Sequence, residues 1–512
     1  MAEYPITETT SGRVRGISEG GVNIFKGIPY AGLAEGTGRF LPPRPPIKWT
    51  GVRDTLAYGH RAMQDDNAFG LAPELLELLA LREPQPMNEN CLVLNVWTPA
   101  LNDGVKRPVM FWCHGGAFIS GSGASPWYEG GSLCRKGNVV VVTINHRLGA
   151  FGYLHLEDLG GHEYASSGNA GMLDIVAALQ WVRDNIASFG GDPDNVTIFG
   201  ESGGGAKISV LMAMPAARGL FHKAIMQSGP AVEMMSCDDA TRTAHQVLAE
   251  LGLEPRQVAQ LREIPAAQLL HAQMGVLRKI SSMSFANRRR VGFNPVIDGK
   301  DLPAGPFEPV APTISADVPL MIGTNKDEMT LFFGLSPWMD QLNESALRDR
   351  VRMFVGDDGE KILEAYRRAR PRDSNRDLML AIATDAGMRI PSLITADRKV
   401  AQHAAPVFVY MFTWETPVLG GVLKSPHALE IPFVFDTVNT STLTGDSSTR
   451  FPLADKMSRT WIQFAHSGDP NNTSIPSWPA YSLEHRPTMI FDDVCRVEND
   501  PYGEERLAWS GQ

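Results

Sequence analysis

The chain has 512 residues, of which 43% are hydrophobic and 20% charged, with a formal net charge of −10 at pH 7. This composition is typical of a globular protein and excludes a disordered, collagen-like or coiled-coil chain. The acidic balance also argues against a nucleic-acid partner, because the one visible basic cluster is Arg288-Arg289-Arg290, which we expect in a solvated loop.

Membrane and metal binding are not indicated by the sequence either. Residues Met1–Glu8 contain neither the basic nor the apolar segment of a signal peptide. No uninterrupted apolar run approaches the ~18–20 residues of a membrane span. The five cysteines lack C-x-x-C spacing, which argues against a zinc site and a disulfide framework. We therefore expect a cytoplasmic protein with no metal and no membrane partner, while its oligomeric state is not indicated.

Short runs of β-branched and aromatic residues recur along the chain and predict buried strands. Between two of them, apolar residues recur at helical spacing from Met172 to Ile186, and Gly190-Gly191 ends this predicted helix. Strands that alternate with helices indicate an α/β protein whose sheet is mostly parallel in its centre. The predicted strands are Val93–Trp97, Val109–Cys113, Val139–Ile144, Val196–Phe199, Ala224–Gln227, Pro319–Ile322, Val407–Phe412 and Met489–Phe491.

Two longer stretches interrupt the alternation of strands and helices. Residues 232–317 and 331–400 are rich in helix-forming residues and are interpreted as helical excursions. No repeat, low-complexity tract or linker marks a domain boundary. Length alone suggests about three domains, but the candidate site residues described below extend from His114 to His427 and must meet. We therefore predict one domain over residues 1–512.

The sharpest motif is G-x-S-x-G at Gly200–Gly204, directly after a predicted strand. Small residues two before and two after the serine allow a tight turn that exposes its hydroxyl at a strand-to-helix elbow. The following residues, Ala206–Met214, are predicted to be a helix whose N-terminus lies close to the serine. Ser202 is therefore the predicted nucleophile.

A glycine pair supplies a candidate oxyanion hole, which a serine nucleophile needs because negative charge develops on the substrate oxygen. Gly115 and Gly116 follow the predicted strand Val109–Cys113. Their N–H groups, with that of Gly203 directly after the nucleophile, are the predicted donors. His114, which precedes the pair, is expected to anchor this loop rather than to act as a base.

The nucleophile also needs a general base oriented by a carboxylate. In proteins with this elbow, the chain order is Ser, then Asp or Glu, then His, with the partners on loops after later strands. His427 follows the predicted strand Val407–Phe412 and is the predicted base. The other late histidines lie before that strand, at a helix end, or before the last strand: His403, His466 and His485.

The carboxylate that would orient His427 is less clearly indicated by its position along the chain. The predicted strand Pro319–Ile322 leads into a segment that contains Asp327 and Glu328. Both carboxylates follow the carboxyl end of a sheet strand. Position alone does not separate them.

In these motifs the chain resembles the type-B carboxylesterase/cholinesterase family of α/β-hydrolases, and within it the bacterial-type carboxylesterases. The resemblance implies a large, mostly parallel sheet flanked by helices, with excursions that form a gorge or lid, and ester hydrolysis without a cofactor. It also identifies the acid as the Glu of a K-D-E segment, here Glu328, and the base as the His of an H-G-x-E segment, here His427. The similar segments are Phe25–Ala31, Glu89–Pro99, Phe189–Pro193, Gln227–Gly229 and Phe464–Asn471.

The resemblance also bears on buried charges and on one cysteine. It implies two structural ion pairs, Arg39 with Glu89 and Arg147 with Asp174. The first disulfide of the family would use Cys91, but the matching upstream segment contains no cysteine. We therefore expect Cys91 to be a free, buried thiol, as in a reducing compartment.

Three features near the site depart from the family pattern. The residue after the nucleophile is usually Ala and is Gly203 here, which keeps the N–H donor but loosens the backbone. The Gly after the histidine is Ala428. The third feature is the approximate segment 64–88, which in the family forms a loop over the gorge. In this chain its one aromatic residue is Phe69, and the segment resembles an apolar lid more than a choline cage. Alternatively, its leucines simply pack the loop down: Leu71, Leu75, Leu76, Leu78, Leu79 and Leu81.

The sequence thus predicts a serine carboxylic-ester hydrolase that acts through an acyl-enzyme on uncharged small to medium esters. The same triad could cleave carbamates, activated amides or lactones, because scope depends on pocket shape. A non-catalytic adhesion or scaffold role is the alternative from another class, since the fold also serves such roles. If His427 is the base, activity should rise between about pH 6 and 7.5 as the imidazole loses its proton.

Overall fold

A computed structural model of the chain describes residues 4–79, 85–281 and 292–510. Both Leu81 and the basic cluster Arg288-Arg289-Arg290 lie outside these residues. The strands are β1 (Ile6–Thr9), β2 (Gly12–Arg15), β3 (Ile17–Glu19), β4 (Val22–Pro29), β5 (Val52–Asp54), β6 (Val93–Thr98), β7 (Arg107–Cys113), β8 (Val140–Ile144), β9 (Gly191–Glu201), β10 (Lys223–Gln227), β11 (Met235–Ser236), β12 (Val296–Ile297), β13 (Leu320–Asn325), β14 (Val407–Phe412), β15 (Pro487–Phe491) and β16 (Arg496–Asn499).

A mixed sheet of eleven strands runs through the molecule in the order β16-β15-β14-β13-β10-β9-β7-β8-β6-β4-β3. Every neighbouring pair from β15 to β8 is parallel, and the pairs at the two edges are antiparallel. Strands β7, β8, β10, β13, β14 and β15 are buried along their whole length. Such burial is typical of parallel strands covered on both faces, and the predicted α/β class is confirmed.

Helices cover both faces of this sheet. The helix predicted from Met172 to Ile186 is α5, which continues as the 3₁₀ turn Ile186–Phe189 and ends where Gly190 adopts a φ of 73°. The α-helices are α1 (Pro73–Leu78), α2 (Gly131–Gly137), α3 (Gly149–Tyr153), α4 (Glu157–Gly160), α5 (Ala170–Asn185), α6 (Gly203–Ala213), α7 (Cys237–Glu250), α8 (Ala266–Ser281), α9 (Thr330–Phe333), α10 (Glu344–Val355), α11 (Gly359–Ala369), α12 (Asn375–Thr384), α13 (Ile390–Val400), α14 (Ile431–Val434), α15 (Arg450–Ser467) and α16 (Gly503–Ala508).

The two faces of the sheet bury two separate apolar cores. Successive side chains of a strand point to opposite faces, so Phe111 of β7 packs in one core and its neighbour Trp112 in the other. Helices α5 and α6 contribute Leu179 and Ile208 to the first core, and α15 contributes Trp461 to the second. The sheet is thereby held between two helical layers.

The two predicted excursions contain most of the remaining helices. Residues 232–317 include α7 and α8, and residues 331–400 include α10 to α13. The stretch Asn375–Val400 is long and apolar enough, by length and composition, to cross a membrane, but 61% of its apolar window is buried inside the protein, as in a helix of a protein core. The assignment of the whole chain to one domain stays a prediction.

The structural roles implied for buried charges are confirmed. Arg147 and Asp174 form a fully buried pair with N–O distances of 2.6 and 2.8 Å. Arg39 pairs with Glu89, at 2.7 Å from Nε to Oε2. Cys91 is a buried free thiol, and burial raises its pKa.

The segment 64–88 contains helix α1 and is anchored by its leucines. Leu71, Leu75 and Leu79 are buried in the second apolar core, and the O of Leu78 accepts a hydrogen bond from Thr442 Oγ1 at 2.9 Å. Phe69, by contrast, is 44% exposed. Leu76 and Leu78 are partly buried and pack against the same core, so the interpretation that these leucines pack the loop down applies to all five that the structure describes.

Candidate active site

The candidate residues lie at one edge of the central sheet because their strands are parallel neighbours. Residue pairing puts Cys113 beside Gly200, and Glu201 beside Gln227. Farther along the sheet, Asn325 at the end of β13 pairs with Phe412 at the end of β14. The loops that leave β7, β9, β13 and β14 therefore converge at a common carboxyl edge, where open α/β sheets bind ligands.

Ser202 occupies a tight elbow between β9 and α6. Its φ is 57° and its ψ is −123°, a strained conformation for a residue with a side chain. Its N–H donates to Gln227 O at 2.8 Å. A Cβ on Gly200 or on Gly204 would lie 2.6 or 2.1 Å from Cys113 O. The elbow therefore requires glycine at both positions of the G-x-S-x-G motif.

Glu328 and His427 are in direct contact. The Nδ1 atom of His427 lies 2.6 Å from Glu328 Oε2, and both side chains are buried. The other oxygen of Glu328 accepts the N–H of Asn325 at 2.8 Å. Asp327 instead faces Ser425, whose N–H lies 3.4 Å from its Oδ2. The carboxylate that contacts the imidazole is thus Glu328, and Asp327 has a different set of partners.

Backbone contacts between two loops hold this pair together. The N–H of Asp327 donates to Ser425 O at 3.0 Å, and the N–H of His427 donates to Glu328 O at 3.3 Å. The side chain of Asn325 donates to Pro426 O at 2.7 Å. The loop after β14 is therefore fastened to the loop after β13, which brings His427 to Glu328 although 99 positions separate them.

A second carboxylate faces the other nitrogen of the imidazole. The Oε1 atom of Glu201 lies 3.2 Å from His427 Nε2. Burial raises the pKa of Glu201 well above its usual value. Burial lowers the pKa of His427, but Glu201 and then Glu328 outweigh it and raise that pKa to about 9. The imidazole therefore holds its proton to higher pH than an exposed histidine does.

A third buried carboxylate, Glu430, supports the site from behind. Its oxygens accept hydrogen bonds from Gln227 Nε2 at 3.0 Å and from Asn325 Nδ2 at 2.7 Å. The Oε1 atom of Gln227 accepts the indole N–H of Trp461 at 3.0 Å. This network connects the sheet strands β10 and β13 to helix α15 and stiffens the strand ends that carry the site.

Two of the predicted oxyanion donors, Gly115 and Gly203, lie where the loop after β7 meets the elbow of Ser202. A Cβ on Gly115 would lie 2.9 Å from Glu201 Oε2 and 3.5 Å from the Cβ of Ser202. A Cβ on Gly203 would lie 2.5 Å from Ala117 N and 2.3 Å from Ala117 O. The glycine loop thus packs directly on the elbow, so that position 203 has no room for the alanine usual in the family.

His114 is placed as an anchor of this loop. Its Nδ1 donates to Gly115 O at 2.8 Å, and its ring stacks on that of His146 with centroids 5.0 Å apart. Burial lowers the pKa of His114 to about 3, so that the imidazole is neutral. Among the residues that the structure describes, no group of three or more His, Cys, Asp or Glu side chains is arranged to hold a metal ion.

Comparison with known proteins identifies the family. Residues 3–509 match the model of the carboxylesterase family. The chain belongs to this family. Its α/β-hydrolase fold and its activity as an enzyme that hydrolyses carboxylic esters follow, and the comparisons give no support to a non-catalytic adhesion or scaffold role.

Relatives of this carboxylesterase are similar over nearly their whole length. The para-nitrobenzyl esterase of Bacillus subtilis (strain 168) is 39% identical, with 98% of each chain covered. The phenmedipham hydrolase of Pseudarthrobacter oxydans is 32% identical, with 96% of each chain covered. A solved carboxylesterase structure from Geobacillus stearothermophilus has a TM-score of 0.86 and 41% identity, covering 99% of this chain and 100% of that one.

Sequence reasoning missed three groups near the predicted nucleophile of this carboxylesterase. Glu201 occupies the unspecified position before the serine of the elbow motif. Glu430 lies three residues after His427, in the segment that resembles H-G-x-E. Ala117 follows the glycine pair, and its N atom lies 2.5 Å from where a Cβ on Gly203 would be. Of these three, only Glu430 could have been found from the sequence, through its spacing of three residues from His427.

Proposed function

We propose that Ser202, His427 and Glu328 form the catalytic triad of this carboxylesterase. The observation that carries the proposal is the 2.6 Å contact of His427 with Glu328 beside the elbow of Ser202. Ser202 Oγ attacks the ester carbonyl while His427 accepts its proton, and Glu328 stabilises the charged imidazole. The proton then passes to the leaving alcohol, and water cleaves the acyl-enzyme with His427 again as the base.

The oxyanion of each tetrahedral intermediate is proposed to bind the N–H groups of Gly115, Gly116 and Gly203, with Ala117 as a further donor. Support comes from the close packing of the loop on the elbow. Gly203 is also the first residue of α6, whose N-terminal N–H groups carry partial positive charge. Such donors act on charge that exists in the transition state and only weakly on the neutral ester.

The proposed substrates are uncharged esters of small to medium size. The ring of Phe332 lies 5.3 Å from that of His427 and offers apolar surface beside the base. Phe69, the aromatic residue of the segment 64–88, is exposed over 44% of its surface rather than buried inside. The buried carboxylate of Glu328 disfavours an anionic substrate. These features favour neutral acyl and alcohol groups over carboxylates and quaternary ammonium groups.

The triad is tested by Ser202→Ala, with Ser132→Ala as a control on helix α2. We expect Ser202→Ala to lower kcat for p-nitrophenyl esters by about 10⁴-fold or more and to abolish labelling by an organophosphate, while the control keeps both. Substantial activity in Ser202→Ala would refute the assignment.

Substrate class is tested by acetylcholine and its uncharged isostere 3,3-dimethylbutyl acetate, compared by kcat/KM. We expect the isostere to be hydrolysed at least as efficiently. A clear preference for the choline ester would contradict the proposal. A series of p-nitrophenyl esters of increasing acyl length, with a carbamate and a lactone alongside, then defines the size limit and the scope.

A further inference from the structure

We propose that Lys207 is a positioning residue that holds the glycine loop, here residues 114–117, in the conformation that aims its N–H groups at the oxyanion. The inference deepens the proposed function and rests on it. Lys207 lies in α6, one and a half turns after Ser202, and is fully buried. Its Nζ donates to His114 O at 2.9 Å and to Ala117 O at 2.8 Å. One amino group thus ties both ends of the loop to the helix that follows Ser202.

A lysine in this position needs an explanation, because burying an ammonium group is costly. Within the described part of the chain, Lys207 has no carboxylate within ion-pair distance. Its further neighbour is the ring of Phe118, whose centroid lies 5.4 Å from Nζ. Burial lowers the pKa of Lys207 to about 7. Groups perturbed in this way are concentrated at functional sites.

The geometry of the peptide bond connects these contacts to the oxyanion donors. In a trans peptide, the C=O of one residue and the N–H of the next point in opposite directions. Because Lys207 binds the O of His114, it fixes the direction of the Gly115 N–H. His114 Nδ1 binds Gly115 O and thereby fixes the Gly116 N–H.

The third peptide is held in the same way. The N–H groups of Ile119 and Ser120 donate to Gly116 O at 3.2 and 3.0 Å, which fixes the Ala117 N–H. None of the N–H groups of Gly115, Gly116 and Ala117 has a hydrogen-bond acceptor among the described residues. Three successive peptides are therefore held from the carbonyl side, and their donors are left for a ligand. Preorganised donors of this kind stabilise developing charge at no cost of reorientation during the reaction.

The test compares Lys207→Met with Lys399→Met. Lys399 is a matched control, since it is also a buried lysine whose Nζ donates to two backbone carbonyls, Ser315 O at 2.9 Å and Ala316 O at 2.7 Å. It lies on α13, outside the site. Methionine keeps the length of the side chain but removes the donors and the charge.

For Lys207→Met, we expect kcat for p-nitrophenyl acetate to fall by about 10²-fold, as when one oxyanion donor is lost, with KM changed less than about threefold. The Lys399→Met variant should keep kcat while losing a comparable amount of stability in urea. An unchanged kcat in folded Lys207→Met, or an equal loss of kcat in both variants, would overturn the proposal. If Lys207→Met does not fold, Lys207→Gln is measured under the same criteria, with a smaller loss expected.

The inhibition constant of a trifluoromethyl ketone distinguishes a positioning role of Lys207 from a purely structural role, which would leave this constant unchanged. Ser202 Oγ adds to the ketone carbonyl, its proton passes to His427, and the adduct oxygen becomes an oxyanion. We expect its inhibition constant to rise in Lys207→Met by the same factor as kcat/KM falls. An unchanged inhibition constant would refute the positioning role. A wrong triad assignment gives a different result from a wrong role for Lys207. If the triad assignment is wrong, Ser202→Ala keeps its activity, whatever the result for Lys207→Met.

Discussion

The contact of Glu201 with His427 makes a sharp prediction about pH. In the proposed mechanism the imidazole must be neutral to accept the proton of Ser202, so that activity is expected to rise with pH through the pKa of His427. The neighbouring carboxylates raise this pKa to about 9 in the free enzyme. The rise of kcat/KM is therefore expected at higher pH than the range of about 6 to 7.5 that an ordinary histidine suggests.

The substitution Glu201→Gln removes the charge next to Nε2 and keeps the size of the side chain. Two unit charges 3.2 Å apart attract by about 5 kcal/mol at an effective dielectric constant of about 20. This value is an upper limit, because burial raises the pKa of Glu201 and so lowers the fraction of the side chain that is charged. Measured effects of an opposite charge at such a distance are about 1 to 3 pKa units. We expect the rise of kcat/KM to move to lower pH by about 1 to 3 units.

The assay is the pH profile of kcat/KM for p-nitrophenyl acetate, read at the isosbestic wavelength of p-nitrophenol. Glu415→Gln is the control, because Glu415 is half-exposed and pairs with Lys326 rather than with His427. Its profile should match that of the unchanged enzyme. If the profile of Glu201→Gln stays in place, or moves to higher pH, the electrostatic reasoning about this pair is wrong.

Two substitutions test the backbone around the nucleophile and the base. In Gly203→Ala, the added Cβ would lie within 2.5 Å of the Ala117 backbone, so that the glycine loop must shift. We expect kcat to fall by about 10-fold or more in steady-state assays, with KM changed little. An unchanged kcat would mean that the loop tolerates the shift. Ala428 has a φ of 67°, which costs about 1–2 kcal/mol for a residue with a Cβ and exceeds the entropic cost of glycine. Ala428→Gly should therefore raise the free energy of unfolding by about 0.5–1 kcal/mol in urea titrations, and a loss of stability would contradict this account.

Much of the fold could be predicted because it depends on local patterns. Each predicted strand overlaps an observed one, since buried parallel strands require continuous apolar runs such as that of Val407–Phe412. The elbow could be predicted for a related reason. Gly200 and Gly204 pass so close to Cys113 O that no other residue fits, and a requirement of this kind leaves a motif in the sequence.

Other parts of the site could not be predicted, because they depend on contacts between distant segments. The direction of the Lys207 side chain is decided by the packing of α6 against the loop after β7, and its neighbours His114 and Ala117 are some 90 positions away. In the sequence, Lys207 is simply a polar residue within an apolar helix. Glu201 is similar, because the motif leaves its position unspecified and its importance comes from the orientation of the His427 ring.

The choice between Asp327 and Glu328 shows where local reasoning ends. Both residues follow β13, and from the sequence a carboxylate at either position could lie beside the base. The structure separates them through the loop after β14, whose Ser425 pairs with the backbone of Asp327 while His427 pairs with that of Glu328. The two loops run in the same direction along this contact, and neighbouring residues take different partners, so that Asp327 is directed towards Lys326 and Ser425, and Glu328 towards the imidazole. Which carboxylate contacts the imidazole is therefore decided by the register between two loops, which one loop alone does not determine.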